Sequence, residues 1–227
     1  MNKRRFYTEL AYLLGLAALA LGAALMAKAN FGMSMVVAPA YLLHLHLSQS
    51  LPFFSFGMAE YILQAILLLA LSLFMRKGKL LYLLALGTAV FYGLLLDGAM
   101  ALLALVPQAG LPGRILFYLS GLLCCAAGVS MLFHSYLPPE AYELVVKEIA
   151  AKYGLAVHKC KTVYDCCSCL LAIVLSFSFF GPWQFVGVKL GTVLCALLNG
   201  WLIGRWSAFL EKRFVFQDKL PLQRFFA

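Results

Sequence analysis

Apolar and polar positions fall along this chain in long blocks rather than short periods. Apolar runs lie at about 7–27, 54–75, 80–105, 114–134, 160–180 and 185–208. Each matches or exceeds the roughly 20 residues that a helix needs to cross a hydrocarbon core of about 30 Å. The pattern predicts an all-α polytopic membrane protein with six transmembrane helices and one membrane domain over 1–227. The first run imitates a signal peptide, with Lys3-Arg4-Arg5 before it and Ala27-Lys28-Ala29 after it. Its length is at the upper limit of such a segment and five more runs follow, so we expect a retained first helix.

Two connections are longer than a turn requires. The stretch from Asn30 to Pro52 is apolar but too short to span, which predicts a short re-entrant or interfacial helix after span 1. The stretch from Pro138 to Gly154 opens with Pro-Pro-Glu and sets Tyr142, Leu144, Val145, Ile149 and Ala150 against Glu143, Lys147, Glu148 and Lys152. That is an amphipathic helix after span 4, ending near Gly154 and expected to be cytoplasmic.

The two inserts hold equivalent places, one after the first span and one after the fourth. A slide of about 105 residues brings Leu86-Gly87-Thr88 onto Leu190-Gly191-Thr192, Gly22 near Gly128 and Glu60 near Asp165. Three spans per half reverse the second half in the bilayer. The expectation is two inverted-topology three-helix repeats, at about 7–105 and 114–208, followed by a basic tail at 209–227.

Charge changes the picture only through its placement. The chain is 64% hydrophobic and 12% charged, with mean hydropathy +0.91, so a water-soluble fold is excluded. The net charge of +9 would suggest nucleic acid in a soluble protein, yet the basic residues alternate by side. Fourteen of the eighteen Lys and Arg lie before span 1, between spans 2 and 3, between 4 and 5, and after 6. By the positive-inside rule both termini are cytoplasmic and the protein sits in a cell (plasma) membrane. None of the seven cysteines lies in a segment expected outside, so thiols rather than disulfides are anticipated.

Ionisable groups inside spans cost about 2.5–3.5 kcal/mol each on insertion scales and therefore mark candidate chemistry. Glu60 and Gln64 share one face of span 2, Asp97 lies in span 3, Lys189 in span 6, and Lys28 at the end of span 1. By sequence depth the four charges share the outer half of the bilayer. They predict either a polar cavity for a small solute or structural pairs such as Asp97 with Lys189. In the inner half Asp165 answers to Glu60, with Lys161 one turn away as its structural partner, and His134 ends span 4. Asn30 and Gly32 follow span 1, while Tyr136, Pro138 and Pro139 follow span 4. Such breaks free backbone groups that can bind a solute. Cys166 and Cys169 share a helical face but form no CxxC pair, and no metal or other cofactor is expected. Gly200-Trp-Leu-Ile-Gly204 fits a close-packing motif. Nucleotide loops, nucleophile elbows and HExxH are missing from the sequence, so no enzyme is expected.

The chain resembles the YitT/YczE-type bacterial integral membrane proteins. The resemblance rests on Ala-Lys-Ala-Asn-Phe-Gly (27–32) with Ser34, Ser55-Phe-Gly57, Asp97-Gly98, Leu137-Pro-Pro-Glu140, Lys161-Thr-Val-Tyr-Asp165 and Val188-Lys-Leu-Gly-Thr192. It implies the same topology and a candidate transporter, with no substrate attached. Three functions follow as expectations. The first is a secondary transporter or permease for a small polar solute, coupled to protons or cations through Glu60, Asp97 or Asp165. The second is a substrate-binding subunit of a multi-component importer, docking through Ala17, Ala20 and Ala24. The third is a non-transporting scaffold or regulator that holds a cytoplasmic partner through the 138–154 helix and the basic tail. The other expected partners are the lipid bilayer and a second copy of the chain in a homodimer, with no nucleic acid.

Overall fold

The structure is a computed structural model, which describes residues 4–76, 80–107, 110–155 and 157–217. It is built from helices α1 (Thr8–Ala29), α2 (Ala38–Leu47), α3 (Phe56–Met75), α4 (Leu80–Ala104), α5 (Leu111–Phe133), α6 (Ala141–Tyr153), α7 (Val157–Phe180) and α8 (Leu190–Arg213). Short strands β1 (Arg4–Tyr7) and β2 (Phe214–Gln217) flank the helices. Six helices, all but α2 and α6, are long and apolar enough to cross a membrane.

The expected spans agree with these helices except at the last. Its run was read from 185, but Gly187 takes a positive φ of 73° and the chain stays extended at Lys189 before α8 begins. Ser176 enforces this turn by donating to the Gln184 carbonyl at 2.6 Å and accepting the Val186 N–H at 2.9 Å. The beginning of the expected basic tail is also ordered. Helix α8 continues to Arg213, and β2 then pairs in parallel with β1, so these two strands lie on one side of the molecule. The tail beyond Gln217, together with residues 1–3 and 77–79, lies outside the described residues.

Helices α1 and α5 form the most extensive contact, and glycine makes it possible. A Cβ at Gly22 would stand 2.6 Å from the Cys125 sulfur and 2.8 Å from the Gly121 carbonyl; one at Gly128 would stand 2.6 Å from the Gly15 carbonyl. The backbones touch where side chains would hold them apart. Helix α4 packs on α1, and α8 packs on α5. Of the docking face expected on α1, Ala20 and Ala24 are buried in this core, while Ala17 is exposed. Among the described residues Gly200 and Gly204 have no neighbour within reach of a Cβ, so the close helix contact expected there is not made among them.

The two connecting helices fold back against the long ones. Helix α6 packs on α3, α4 and α7, and α2 packs on α3 and α7. Tyr142, Leu144, Val145 and Val146 of α6 are buried, so its apolar face is satisfied within the molecule. Helices α3 and α4 approach closely at Gly57 and Gly93, whereas α7 and α8 make no comparable contact with each other.

Candidate functional site

Polar chemistry gathers where α6 begins. The α6 N-terminus seats against the middle of α3, where the Ala141 N–H donates to Gln64 Oε1 at 3.1 Å. The Tyr142 hydroxyl donates to Glu60 Oε2 at 2.7 Å, and Gln64 Nε2 donates to the same oxygen at 3.3 Å. Thr88 of α4 also approaches the Pro138 carbonyl, at 3.4 Å. At the far end of α6, Lys152 donates to the Phe74 carbonyl at 3.3 Å and lies over the Phe74 ring. Helix α6 therefore lies along α3 from the level of Gln64 to that of Phe74.

Glu60 is fully buried. Helix α3 begins at the level of Asp97, seven residues and so about 10 Å inside the end of α4. Counting inward from that start brings Glu60 to about the level of Tyr92, the central residue of α4.

A cavity of about 590 Å³ lies beside this network, within the range of small-molecule sites. The segment 33–37 before α2 lines it from one side, and Pro139, Glu140, Tyr142 and Glu143 at the start of α6 line it from another. Tyr92, Lys161, Asp165 and Asn199 complete its polar lining. Lys161 bridges Glu143 at 3.0 Å and Asp165 at 3.2 Å. Glu140 is only 7% exposed. Burial pushes its carboxyl well above the usual carboxylate range, Glu60 and Glu143 push it further, and Lys161 pulls against them. The Tyr142 hydroxyl is likewise raised, by burial first and then by Glu60.

The residues singled out in the sequence separate into two groups. Glu60 and Gln64 form the network, and Asp165 reaches the cavity with Lys161 as its partner. The others serve helix ends and do not join them. Asp97 accepts from Ser55 Oγ at 2.5 Å and from the Gly57 N–H at 2.7 Å, closing the start of α3. Lys28 caps the end of α4 by donating to the carbonyls of Leu103 at 2.9 Å and Val106 at 2.5 Å. Lys189 donates to the Asn30 backbone and side-chain oxygens at 3.1 and 2.8 Å, while Asn30 itself ends α1 in the left-handed region at φ 56°. Burial and then the nearby Arg114 lower the affinity of Lys189 for its proton. His134 ends α5, bonded to the Ser130 carbonyl at 2.8 Å and Glu211 at 3.3 Å, and stacks on Phe216. The mixed-sign cluster expected at one depth is thus not assembled. Among the described residues no ion pair joins Asp97 to Lys189, and no group of His, Cys, Asp and Glu is placed to hold a metal.

Glu140, Tyr142, Tyr92 and Asn199 were not recognised as site residues. Glu140 read as first-turn helix chemistry and Tyr142 as part of an apolar face. The usable signal was the position of both at the start of an insert that recurs, in the sliding alignment, after span 1.

Residues 6–208 match a family of unknown function, DUF6198, and the chain belongs to that family. No curated protein and no solved structure matches it.

Proposed function

We propose that the chain is a secondary transporter or permease for a small polar solute, coupled to protons or another cation. Glu60 and the cavity carboxylates Glu140 and Asp165 carry the coupling in this reading. Asp97 leaves the set because its carboxylate is committed to the start of α3. The observation that carries the proposal is the central cavity, on which the starts of both connecting helices converge from different halves of the chain.

The contacts of the two halves support a pair of inverted repeats. Under a shift of about 105 residues, the close approach of Gly15 to Gly128 becomes that of Gly121 to Gly22. Tyr12, bonded to Thr88 at 2.5 Å, answers to Tyr118, which donates to the Gly191 carbonyl beside Thr192. Helix α6 on α3 and α7 answers to α2 on α7 and α3. Each connecting segment enters to mid-helix and returns. Ser168, in the middle of α7, donates to the Met35 carbonyl at 2.8 Å, while His46 at the end of α2 stacks on Phe179 near the end of α7. Both connections are accordingly read as re-entrant, with backbone groups freed where they border a cavity rather than lipid. The resemblance to YitT/YczE-type proteins points the same way, as does the basic bias that makes both termini cytoplasmic in a plasma membrane.

Reconstitution tests the reading. Purified protein in liposomes, loaded with a pH-sensitive dye and offered a panel of labelled solutes, is expected to take up one class and to move protons with it. Glu60→Gln is expected to lose the proton movement. Unchanged proton movement in that variant would remove Glu60 from coupling, and liposomes that take up nothing from a broad panel would end the permease reading.

A further inference from the structure

Within that transporter reading, we infer that the central cavity takes an organic ammonium: a cationic nitrogen donor carried on an apolar body. Two independent features of the cavity support this. The first is its unmet hydrogen bonding. Among the described residues, Glu140 Oε1, the Tyr92 hydroxyl and Asn199 Oδ1 are buried with no hydrogen-bond partner, and all three residues line the cavity. Glu140 is only 7% and Tyr92 0% exposed. Buried polar groups in folded proteins are nearly always paired, and two of these three are oxygen acceptors that call for N–H or O–H donors. The second feature is charge. Glu140, Glu143 and Asp165 face the cavity with Glu60 just behind, against the single ammonium of Lys161. Lys161 is already shared between Glu143 and Asp165. Glu140 therefore has no cation of its own, and a ligand ammonium at that oxygen would neutralise the carboxylate while donating to it.

The rest of the lining selects what the ammonium is attached to. Leu19, Ala23, Met26, Met33, Val129 and Leu132 form an apolar wall, which leaves room for an alkyl or aryl body and supplies no acceptors for a second polar end. Methionine on that wall suits ligands of irregular shape. An anionic solute would meet three carboxylates, and a neutral one would leave Glu140 unmatched.

Full-length protein in detergent tests this with three probes of one shape: phenethylammonium, 2-phenylethanol and 3-phenylpropanoate. Equilibrium binding and thermal midpoints at pH 7.5 are expected to favour the ammonium over the alcohol and the carboxylate by tenfold or more. Glu140→Gln, close in size and shape, is expected to lose at least tenfold in ammonium affinity while binding the alcohol as before. Equal binding of ammonium and alcohol, tighter binding of the carboxylate, or unchanged ammonium affinity in Glu140→Gln would each overturn the inference. No response to any ammonium up to millimolar concentration would do the same. If the variant cannot be purified, the ranking of the three probes on the natural chain decides alone. Uptake of the same probes into liposomes separates this inference from the transporter reading. Selective binding without uptake keeps the ammonium site and removes the permease, whereas uptake of an anion with no ammonium binding keeps the permease and removes the site.

Discussion

The Tyr142 hydroxyl carries more than one neutral hydrogen bond. It meets a fully buried carboxylate at 2.7 Å, and among the described residues Glu60 has only Gln64 besides, at the longer distance of 3.3 Å. Removing a donor from a buried acceptor leaves the acceptor's desolvation uncompensated, at about 1–3 kcal/mol and more for a charged group. Tyr142→Phe is therefore expected to lower stability by about 2–3 kcal/mol, read from denaturant or thermal unfolding in micelles. Glu60→Gln in the same background should recover part of the loss; additive losses would mean that the two residues are not coupled. Glu140 makes a different prediction. Its carboxyl titrates higher in the folded protein than in the unfolded chain because of burial, Glu60 and Glu143. The folded state then holds the proton longer, so stability is highest below the ordinary carboxylate range and declines as pH rises toward the elevated folded value. Glu140→Gln should flatten that decline, so the difference between variant and natural chain grows from pH 4.5 upward; parallel pH profiles would contradict the burial argument. Asp97→Ala, by contrast, should cost about 1–2 kcal/mol through the lost start of α3 and leave ammonium binding intact.

At the scale of elements, space decides which glycines matter. A methyl at Gly22 would collide with Cys125 and Gly121, so Gly22→Ala should force α1 from α5 and cost about 1–3 kcal/mol. Gly200 has nothing within 4 Å of a Cβ, so Gly200→Ala should be neutral or stabilise by up to about 1 kcal/mol through helix propensity. The same comparison marks how far the sequence was legible. Long apolar runs announce spans because hydrocarbon admits no unpaired backbone, so the six helices and both inserts could be read directly. A small-xxx-small spacing, however, says only that an approach is possible. Gly200 and Gly204 have the spacing and no partner among the described residues, while Gly22 and Gly121 meet across a sequence gap that no local pattern records. The site failed to be legible for a related reason. Depth along a helix counts from that helix's own end, and such counting does not see that α3 starts well inside α4. Lys28, Asp97 and Lys189 stood out as intramembrane charges, but their partners are helix-end backbone groups and nearby side chains, which charge counting does not see. Tyr142 and Glu140 were hidden in an amphipathic pattern whose first turn faces protein instead of water.

For the whole molecule, the two halves share their contacts but not their closure. Helices α3 and α4 meet at Gly57 and Gly93, where a Cβ on Gly57 would strike the Gly93 carbonyl and the Asp97 carboxylate. The corresponding pair, α7 and α8, makes no comparable contact, and both helices border the cavity through Asp165, Lys161, Cys195 and Asn199. On the proposed reading of two inverted repeats, such inequality has a consequence, because the second conformation is then obtained by exchanging the arrangements of the halves. The state described here has α3 and α4 closed and the α7–α8 side apart. Its counterpart would bring α7 to α8 and loosen α3 from α4, exposing the cavity on the opposite side of the bilayer. Spin labels at Leu171 on α7 and Val193 on α8, both exposed, read this directly by distance measurement in lipid. Two distance populations are expected, with the shorter one enriched when Gly57→Ala wedges α3 away from α4. A ligand shifts the ratio only by its differential affinity for the two states, so a tenfold preference should change the ratio about tenfold. One distance, unmoved by Gly57→Ala, by pH or by phenethylammonium, would mean a single rigid conformation and would count against alternating access for this chain.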